Sequence, residues 1–168
     1  MKIKIILTTA ILSYYTASFG LQNSTWDKWN SLIGNWIGEG SGKPGQGGGT
    51  FSFTLDLDNN VLIRKSHSEY LSPEGKVQIH EDLMIIYFDI NKKPSKAIYF
   101  DNEGHTINYR ISYTNKAIIL TSERIPNSPF FRLVYSMLDN ETCKTRFELS
   151  QDGEKFTPYI EGNSKRIK

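Results

Sequence analysis

The segment Thr50-Phe51-Ser52-Phe53-Thr54-Leu55-Asp56-Leu57 decides the fold, because apolar and polar residues alternate along it. Successive side chains of a β-strand point to opposite faces, so this alternation is typical of a strand with one buried face. The turn-forming residues Asp58-Asn59-Asn60 follow directly. The segment therefore predicts a β-strand that turns back into a second strand.

The same alternation recurs to the end of the chain, with turn residues at regular intervals and no helical period over ten residues. Strands are predicted around Trp36 and at residues 50–57, 61–70, 77–88, 96–100, 105–113, 116–124, 130–138, 142–150 and 159–161. Strands joined by tight turns, without crossover helices, pair as an antiparallel meander, and closure hides the edges of such a sheet. We predict an all-β fold, a meander closed into a barrel of about ten strands.

A short N-terminal helix is predicted ahead of the first strand. Ser24-Thr25 can cap it, and an apolar stripe of about two turns follows at Trp26, Trp29, Leu32 and Ile33. We expect this helix to close one end of the barrel.

Residues 1–20 are typical of a secretory signal peptide. Lys2 and Lys4 precede an apolar stretch, and Ser18-Phe19-Gly20 forms a small-x-small cleavage site. The apolar stretch is shorter than the roughly 20 residues of a spanning helix, and an uncleaved anchor is the alternative. We predict that residues 21–168 form one barrel domain, exported to the periplasm or secreted, with no transmembrane span after signal removal.

The charge balance argues against a nucleic-acid partner. The chain has 20 Lys and Arg against 18 Asp and Glu, and removal of Lys2 and Lys4 with the signal leaves 18 of each. A surface without net charge lacks the electrostatic footprint of a nucleic-acid binder. Cys143 is the only cysteine, so it cannot form an internal disulfide, and we interpret it as a small core residue.

Glycines alternate along Gly34-Asn35-Trp36-Ile37-Gly38-Glu39-Gly40-Ser41-Gly42, and a glycine-rich loop follows at residues 43–49. Glycine at this period permits sharp bending and lets a backbone or a ligand approach closely. The segment is therefore either a bent strand with a flexible loop or the entrance to a ligand site.

A short helix followed by Gly-x-Trp resembles the opening of calycin-type barrels, the lipocalins and fatty-acid-binding proteins. The longer glycine pattern is similar to nitrobindin-type haem-binding barrels and to a bacterial lipocalin-like family of unknown function, which residues 80–84, 99–105 and 159–162 also resemble. The resemblance implies a lipocalin-like barrel. It also implies that a basic residue near the end of the barrel, here Arg166, packs across Trp36 by a cation–π contact.

The resemblance to nitrobindin does not extend to haem ligation. Those barrels bind haem through a His close to the C-terminus, whereas no His follows His105 in this chain. Lys43-Pro44-Gly45 also stands where that family has a Tyr-Pro-Thr-like sequence. No motif in the sequence identifies a cofactor.

Strand alternation places His80 and Asp82 on one face of a strand and Tyr109 on the aromatic face of another. His80 and Asp82 are interpreted as hydrogen-bonded barrel residues, as ligand contacts, or as a base or metal pair that lacks further ligands. Tyr109 places a hydroxyl in the interior if its face points inward. Arg132 and Glu148 form either an exterior ion pair or an interior pair that holds a ligand carboxylate.

We predict non-catalytic binding of a small apolar or amphipathic molecule in an aromatic-lined cavity. The candidate ligand-binding residues are Glu39, His80, Asp82, Tyr109 and Arg132. One alternative is an enzyme that acts on a small envelope metabolite through a His/carboxylate pair. The other is a ligand-free structural or interaction barrel, with its interior filled by Phe51, Phe53, Tyr109 and Phe147 and an exposed apolar patch.

Overall fold

Ten antiparallel strands form a closed barrel in the computed structural model, which describes residues 25–40, 48–72 and 74–168. The strands are β1 (Gly34–Gly38), β2 (Thr50–Asp56), β3 (Val61–Leu71), β4 (Val77–Phe88), β5 (Pro94–Asp101), β6 (Thr106–Tyr113), β7 (Ile118–Ser122), β8 (Phe130–Met137), β9 (Thr142–Ser150) and β10 (Thr157–Ile167). Each strand pairs with its neighbour in sequence, and β10 pairs with β1. The all-β meander closed into a barrel is confirmed.

The last strand is much longer than its sequence pattern indicates. Its prediction covered residues 159–161, whereas β10 runs along the whole of β9 and then pairs with β1. A bulge between Pro158 and Ile160 shifts its register. Its second half shows no apolar alternation along Gly162-Asn163-Ser164-Lys165-Arg166. Backbone pairing with β9 and β1, rather than burial of apolar side chains, holds this part of the strand in place.

Burial identifies the inward face of the barrel. Met84 and Ile86 on β4 are fully buried, so His80 and Asp82 on the same face also point inward. Tyr109 on β6 is 2% exposed, which places the aromatic face of that strand inside.

The predicted N-terminal helix is wrong: residues 25–32 form consecutive turns, and the structure contains no helix among the residues it describes. Each indole is held by a different part of the barrel. Trp26 packs on Phe88, at 4.9 Å between ring centroids, and Trp29 donates a hydrogen bond to the Tyr113 hydroxyl. A segment this short gains little from helical hydrogen bonds, so these side-chain contacts decide its path. The turns still close one end of the barrel, since Trp29 and Leu32 are at most 1% exposed.

Arg166 on β10 packs across Trp36 on β1, as the resemblance implied. The guanidinium carbon lies 4.4 Å from the indole centroid, and Nη1 donates to the Ile33 carbonyl oxygen at 2.8 Å. Nη2 donates to the carbonyl oxygen of Ser31. Gly34 has a φ of +124°, and a Cβ there would lie 2.9 Å from Arg166 Nη1, so glycine leaves room for this contact.

Residues 41–47, which include most of the glycine-rich loop predicted at residues 43–49, lie outside the described residues. At its end, Gly49 has a φ of +109°, and a Cβ there would lie only 2.4 Å from the carbonyl oxygen of His67. The close approach of two backbones expected from the glycines therefore occurs at this position.

Arg166→Lys should lower the free energy of unfolding by about 1 to 3 kcal/mol, because lysine cannot both cover the indole and reach two carbonyl groups. Urea denaturation followed by tryptophan fluorescence measures the change. The matched control is Arg110→Lys, which alters an arginine side chain that is 75% exposed in a surface ion pair and should change stability by less than about 0.5 kcal/mol. Equal losses in both variants would contradict the structural role of Arg166.

Candidate functional site

Five polar side chains meet inside the barrel, on the inward faces of β3, β4 and β5; we call them the polar cluster. They are Arg64, Ser66, His80, Asp82 and Tyr99. Strand register brings them together, because Ser66 lies opposite Asp82, and Arg64 lies opposite Met84, which in turn lies opposite Tyr99.

Asp82 is the centre of the polar cluster. Its side chain is 6% exposed, one carboxylate oxygen accepts a hydrogen bond from Arg64 Nη1, and the other accepts one from the Ser66 hydroxyl at 2.5 Å. Burial favours the neutral acid and works to raise the pKa of Asp82, but Arg64, His80 and Ser66 overcome this effect and lower that pKa. The buried Asp82 is therefore an anion paired with a buried guanidinium.

His80 lies on the side of the polar cluster towards the end of the barrel opposite Trp29. Its Nε2 lies 3.2 Å from the Tyr99 hydroxyl and 3.7 Å from Asp82, while its Nδ1 lies 3.1 Å from Glu103. The hydrogen bond to Asp82 is the main cause that raises the pKa of His80 to about 9, and Glu103 adds to it, although partial burial works in the opposite direction. At neutral pH the imidazole is protonated and both nitrogens have partners, so it is a poor general base.

All three histidines of the chain lie at this end of the barrel, and each contacts carboxylates. His105 lies 2.9 Å from Asp101, which also accepts a hydrogen bond from the Tyr99 hydroxyl. His67 lies 3.2 Å from both Glu81 and Glu69. No group of three or more His, Cys, Asp or Glu side chains among the described residues is arranged to hold a metal ion.

Tyr135 on β8 faces Arg64 on β3 across the barrel axis. The two strands lie five positions apart in either direction around the ring. The Tyr135 ring contacts Phe53 and Phe51 on β2, with centroids 5.4 and 6.3 Å away. Burial is the main cause that raises the pKa of Tyr135, so its hydroxyl stays neutral.

Among the described residues, two buried polar atoms inside the barrel have no hydrogen-bond partner. They are Arg64 Nε and Tyr135 Oη. Thr145 lies next to Tyr135 in the register of β8 and β9, and its hydroxyl is hydrogen-bonded to the Cys143 thiol. A buried polar atom without a partner costs about 1 to 3 kcal/mol, so proteins usually provide one through a protein group, a water or a ligand.

The structure brings three of the five predicted site residues together. His80 and Asp82 belong to the polar cluster, and Tyr109 lies inside the barrel within electrostatic range of Arg64 and Asp82. Arg132 and Glu39 lie elsewhere.

Arg132 points outward, where it forms an ion pair with Glu148 and its guanidinium carbon lies 3.9 Å from the centroid of Phe156. Of the two predictions for Arg132 and Glu148, the ion pair on the outer face of the barrel is therefore the one observed. Glu39 is exposed beyond the end of β1, where its carboxylate lies 3.9 Å from Lys165 Nζ.

Sequence reasoning missed Arg64, Tyr99 and Tyr135. A signal for Arg64 exists, because it shares the face of Leu62 in the β3 alternation and thus places a cation among buried residues. Such a cation needs an anion on a neighbouring strand. Pairing Arg64 with Asp82 requires the register of β3 and β4, which the sequence pattern does not supply.

An open groove of about 790 Å³ crosses the outer wall of the barrel. Its floor follows one row of outward positions across six strands: Ile167, Asn35, Ser52, Lys65, Leu83 and Phe100. The interior, by contrast, is occupied by fully buried side chains that include Trp36, Phe53, Tyr109 and Tyr135.

The interior donor set does not suit haem. His80 is the inward-facing histidine of the described strands, and both of its ring nitrogens contact other side chains. β10 contributes no histidine near the C-terminus. Among the described residues, no helix is long and apolar enough to cross a membrane.

Comparison of the sequence with models of known protein families, and with curated proteins, finds no match. The likeness to calycin-type barrels therefore rests on the fold, a closed antiparallel barrel of ten strands.

The ion pairs of His80 predict a pH-dependent stability. Because the folded state raises the pKa of His80 to about 9, its contribution should be fully present below about pH 6.5 and lost as the pH rises through 9. We expect a loss of about 1 to 2 kcal/mol, less than the full shift implies, since the imidazole is 26% exposed. Urea denaturation between pH 6 and 10 measures it.

In that experiment His80→Gln should remove most of the slope. The control is His67→Gln, which changes a histidine whose ring lies in solvent between two exposed carboxylates and which should keep most of the slope. An unchanged slope in His80→Gln would show that the ion pairs of His80 do not stabilise the fold.

Proposed function

We propose that this protein is an exported barrel that binds a small, partly apolar molecule in its interior and catalyses no reaction. The observation that carries the proposal is the pair of partnerless polar atoms at Arg64 and Tyr135. Because buried side chains occupy the interior, a ligand would have to displace some of them; an oxygen of the ligand beside these atoms would then remove this cost, and the aromatic rings would bury its apolar part.

The two ends of the barrel differ in a way that favours entry from one side. Trp29 and Leu32 seal one end, whereas Phe131 and Phe147, stacked at 5.8 Å, are only partly buried near the other. His80 and its carboxylate partners lie at that second end. A ligand entering there would meet aromatic surface before it reached Arg64.

The residues predicted to contact the ligand have separate roles in this proposal. Asp82 and Ser66 hold the Arg64 guanidinium in place, and His80 holds Asp82. Because the imidazole is protonated, we assign it to positioning rather than to proton abstraction. Met84 lies opposite Arg64 in the register, and its unbranched side chain adapts readily when a neighbour arrives.

Tyr135→Phe should raise the free energy of unfolding by up to about 1 kcal/mol and weaken ligand binding, because it deletes a buried hydroxyl that has no protein partner. Tyr113→Phe is the matched control. The Tyr113 hydroxyl bonds both Trp29 Nε1 and the Pro94 carbonyl oxygen, so its loss should cost about 1 to 3 kcal/mol. Urea denaturation of both variants measures the difference, and a large destabilisation by Tyr135→Phe would show that the Tyr135 hydroxyl does have a partner in the folded protein.

Native mass spectrometry of protein purified from the envelope of its own host tests the binding itself. We expect an added mass that denaturation releases and that is less abundant in Tyr135→Phe. An absorption spectrum of the same sample between 350 and 700 nm would reveal haem and contradict the assignment made from the histidines. Wild-type protein without any added mass would contradict the proposal.

Export makes a separate prediction. The intact mass of the envelope protein should correspond to residues 21–168, because a signal peptidase would cleave after Gly20. Full-length protein retained in the membrane fraction would instead support the uncleaved anchor.

A second candidate function is an interaction barrel, which the outer face of β4 favours. Five of its six outward residues are apolar: Val77, Ile79, Leu83, Ile85 and Tyr87. Val77 and Ile79 are at least half exposed in the part of the β3–β4 hairpin that extends beyond β5. The native mass spectrum also tests this candidate, since ligand-free protein that is dimeric or larger would favour it over the binding barrel.

A further inference from the structure

An apolar patch lies on the outer face of β3, β4 and β5, where the register places apolar residues side by side. The residues of this outer patch are Ile63, Leu83, Ile85, Tyr87, Ile98 and Phe100. The outward positions on either side are polar: Thr50, Ser52 and Thr54 on β2, and Thr106, Asn108 and Arg110 on β6. An exposed apolar patch with a polar rim is typical of a protein contact surface.

The outer patch is nearly symmetric about its central row, which Ile63, Ile85 and Ile98 form across the three strands. On β4, Leu83 lies two residues before Ile85, and Tyr87 lies two residues after it. Ile79 and Ile90, which are 50% and 98% exposed, lie six residues before and five residues after Ile85. A two-fold axis along the central row therefore brings apolar residues of one copy of the chain against apolar residues of another.

The groove in the outer wall and the side chain of Tyr87 match under this axis. Leu83 and Phe100 belong to the floor of the groove, which has a volume of about 790 Å³. The axis places Tyr87 of a second copy over Leu83. Tyr87 is 37% exposed and points outward, so its ring can enter the groove of the other copy.

Charges at the edge of the outer patch are complementary under the same axis. Lys65 lies beside Leu83 on one side of the central row, and Asp56 lies beside Val61 on the other side. Both are exposed, and neither forms an ion pair with another described residue. The axis places Lys65 of one copy over Val61 of the other, next to Asp56, so two ion pairs form across the interface.

Glu81 also faces the second copy, at the turn that follows β4. That turn carries Lys92 and Lys93. Its carboxylate, Asp89, already accepts hydrogen bonds from the Ser95 hydroxyl and from two backbone N–H groups of the turn. Glu81 therefore meets a turn with a positive charge.

We propose that two copies of this chain associate through the outer patch, about a two-fold axis along its central row, with Tyr87 of each copy in the groove of the other. Strand spacing makes the contact about 35 Å long and about 15 Å wide. This is roughly 500 Å² per copy, less than the about 800 Å² of a standard interface, so we expect micromolar dissociation. The inference requires no ligand in the interior, and it gives the interaction barrel a definite partner.

Sedimentation equilibrium of the purified protein between about 1 and 200 µM tests the association. We expect a dimer that Ile85→Lys weakens at least about 100-fold, because the axis passes through this row and brings the two lysines together. Ile119→Lys is the matched control. It changes an outward, half-buried isoleucine on β7, away from the outer patch, and should leave dimerisation unchanged.

A charge exchange tests the axis without altering the apolar contact. Lys65→Glu should weaken the dimer at least about tenfold, because it brings two acidic side chains together. Adding Asp56→Lys to that variant should restore the dimer. A double variant that dimerises no better than Lys65→Glu would overturn the axis.

Wild-type protein that stays monomeric up to 200 µM would overturn the inference. So would a dimer that Ile85→Lys and Ile119→Lys weaken equally, because the interface would then lie elsewhere. Neither result bears on the interior ligand, which the search for an added mass decides separately.

Discussion

The pairing of β1 with β10 is the constraint on which the rest of the structure depends. Nine consecutive pairings build an open sheet, and only this tenth pairing, between the two ends of the strand order, closes it. Closure removes both edges and turns one face of every strand inward. Trp36 and Arg166 lie opposite each other at this pairing, so the contact between their side chains adds to the backbone hydrogen bonds where the sheet closes.

Closure also brings opposite walls within reach of each other and so forms the polar interior. Arg64 and Tyr135 are 71 positions apart in sequence, yet they face each other across the axis. Asp82, buried beside Arg64, is stable as an anion because Arg64, His80 and Ser66 all contact it. An interior with a neutralised ion pair and partnerless donors, enclosed by aromatic rings, differs from an ordinary apolar core. A protein selected for stability alone would gain by replacing these groups with packed apolar residues.

Much of the fold could be predicted from local pattern. The bounds of β4 and β9 and the number of strands followed from alternation and turn residues, because one buried face imposes a period of two. The N-terminal turns and the second half of β10 could not be predicted in this way. The indoles of Trp26 and Trp29 contact residues of distant strands. Arg166 lies in the part of β10 that is held by its pairing with β1 rather than by apolar burial. In each case a long-range contact overrides the local preference.

The same distinction between local pattern and long-range contact applies to the candidate site. The sequence by itself determined that His80 and Asp82 share a face, that Tyr109 belongs to an aromatic face, and that the chain forms an antiparallel barrel. Only the tertiary structure decided which face is interior, that Arg132 lies outside with Glu148, and that Arg64 and Tyr135 meet across the axis. The physical reason is that alternation specifies relative direction along one strand. The direction of the interior, and the neighbours found there, depend on register and closure, to which all ten strands contribute.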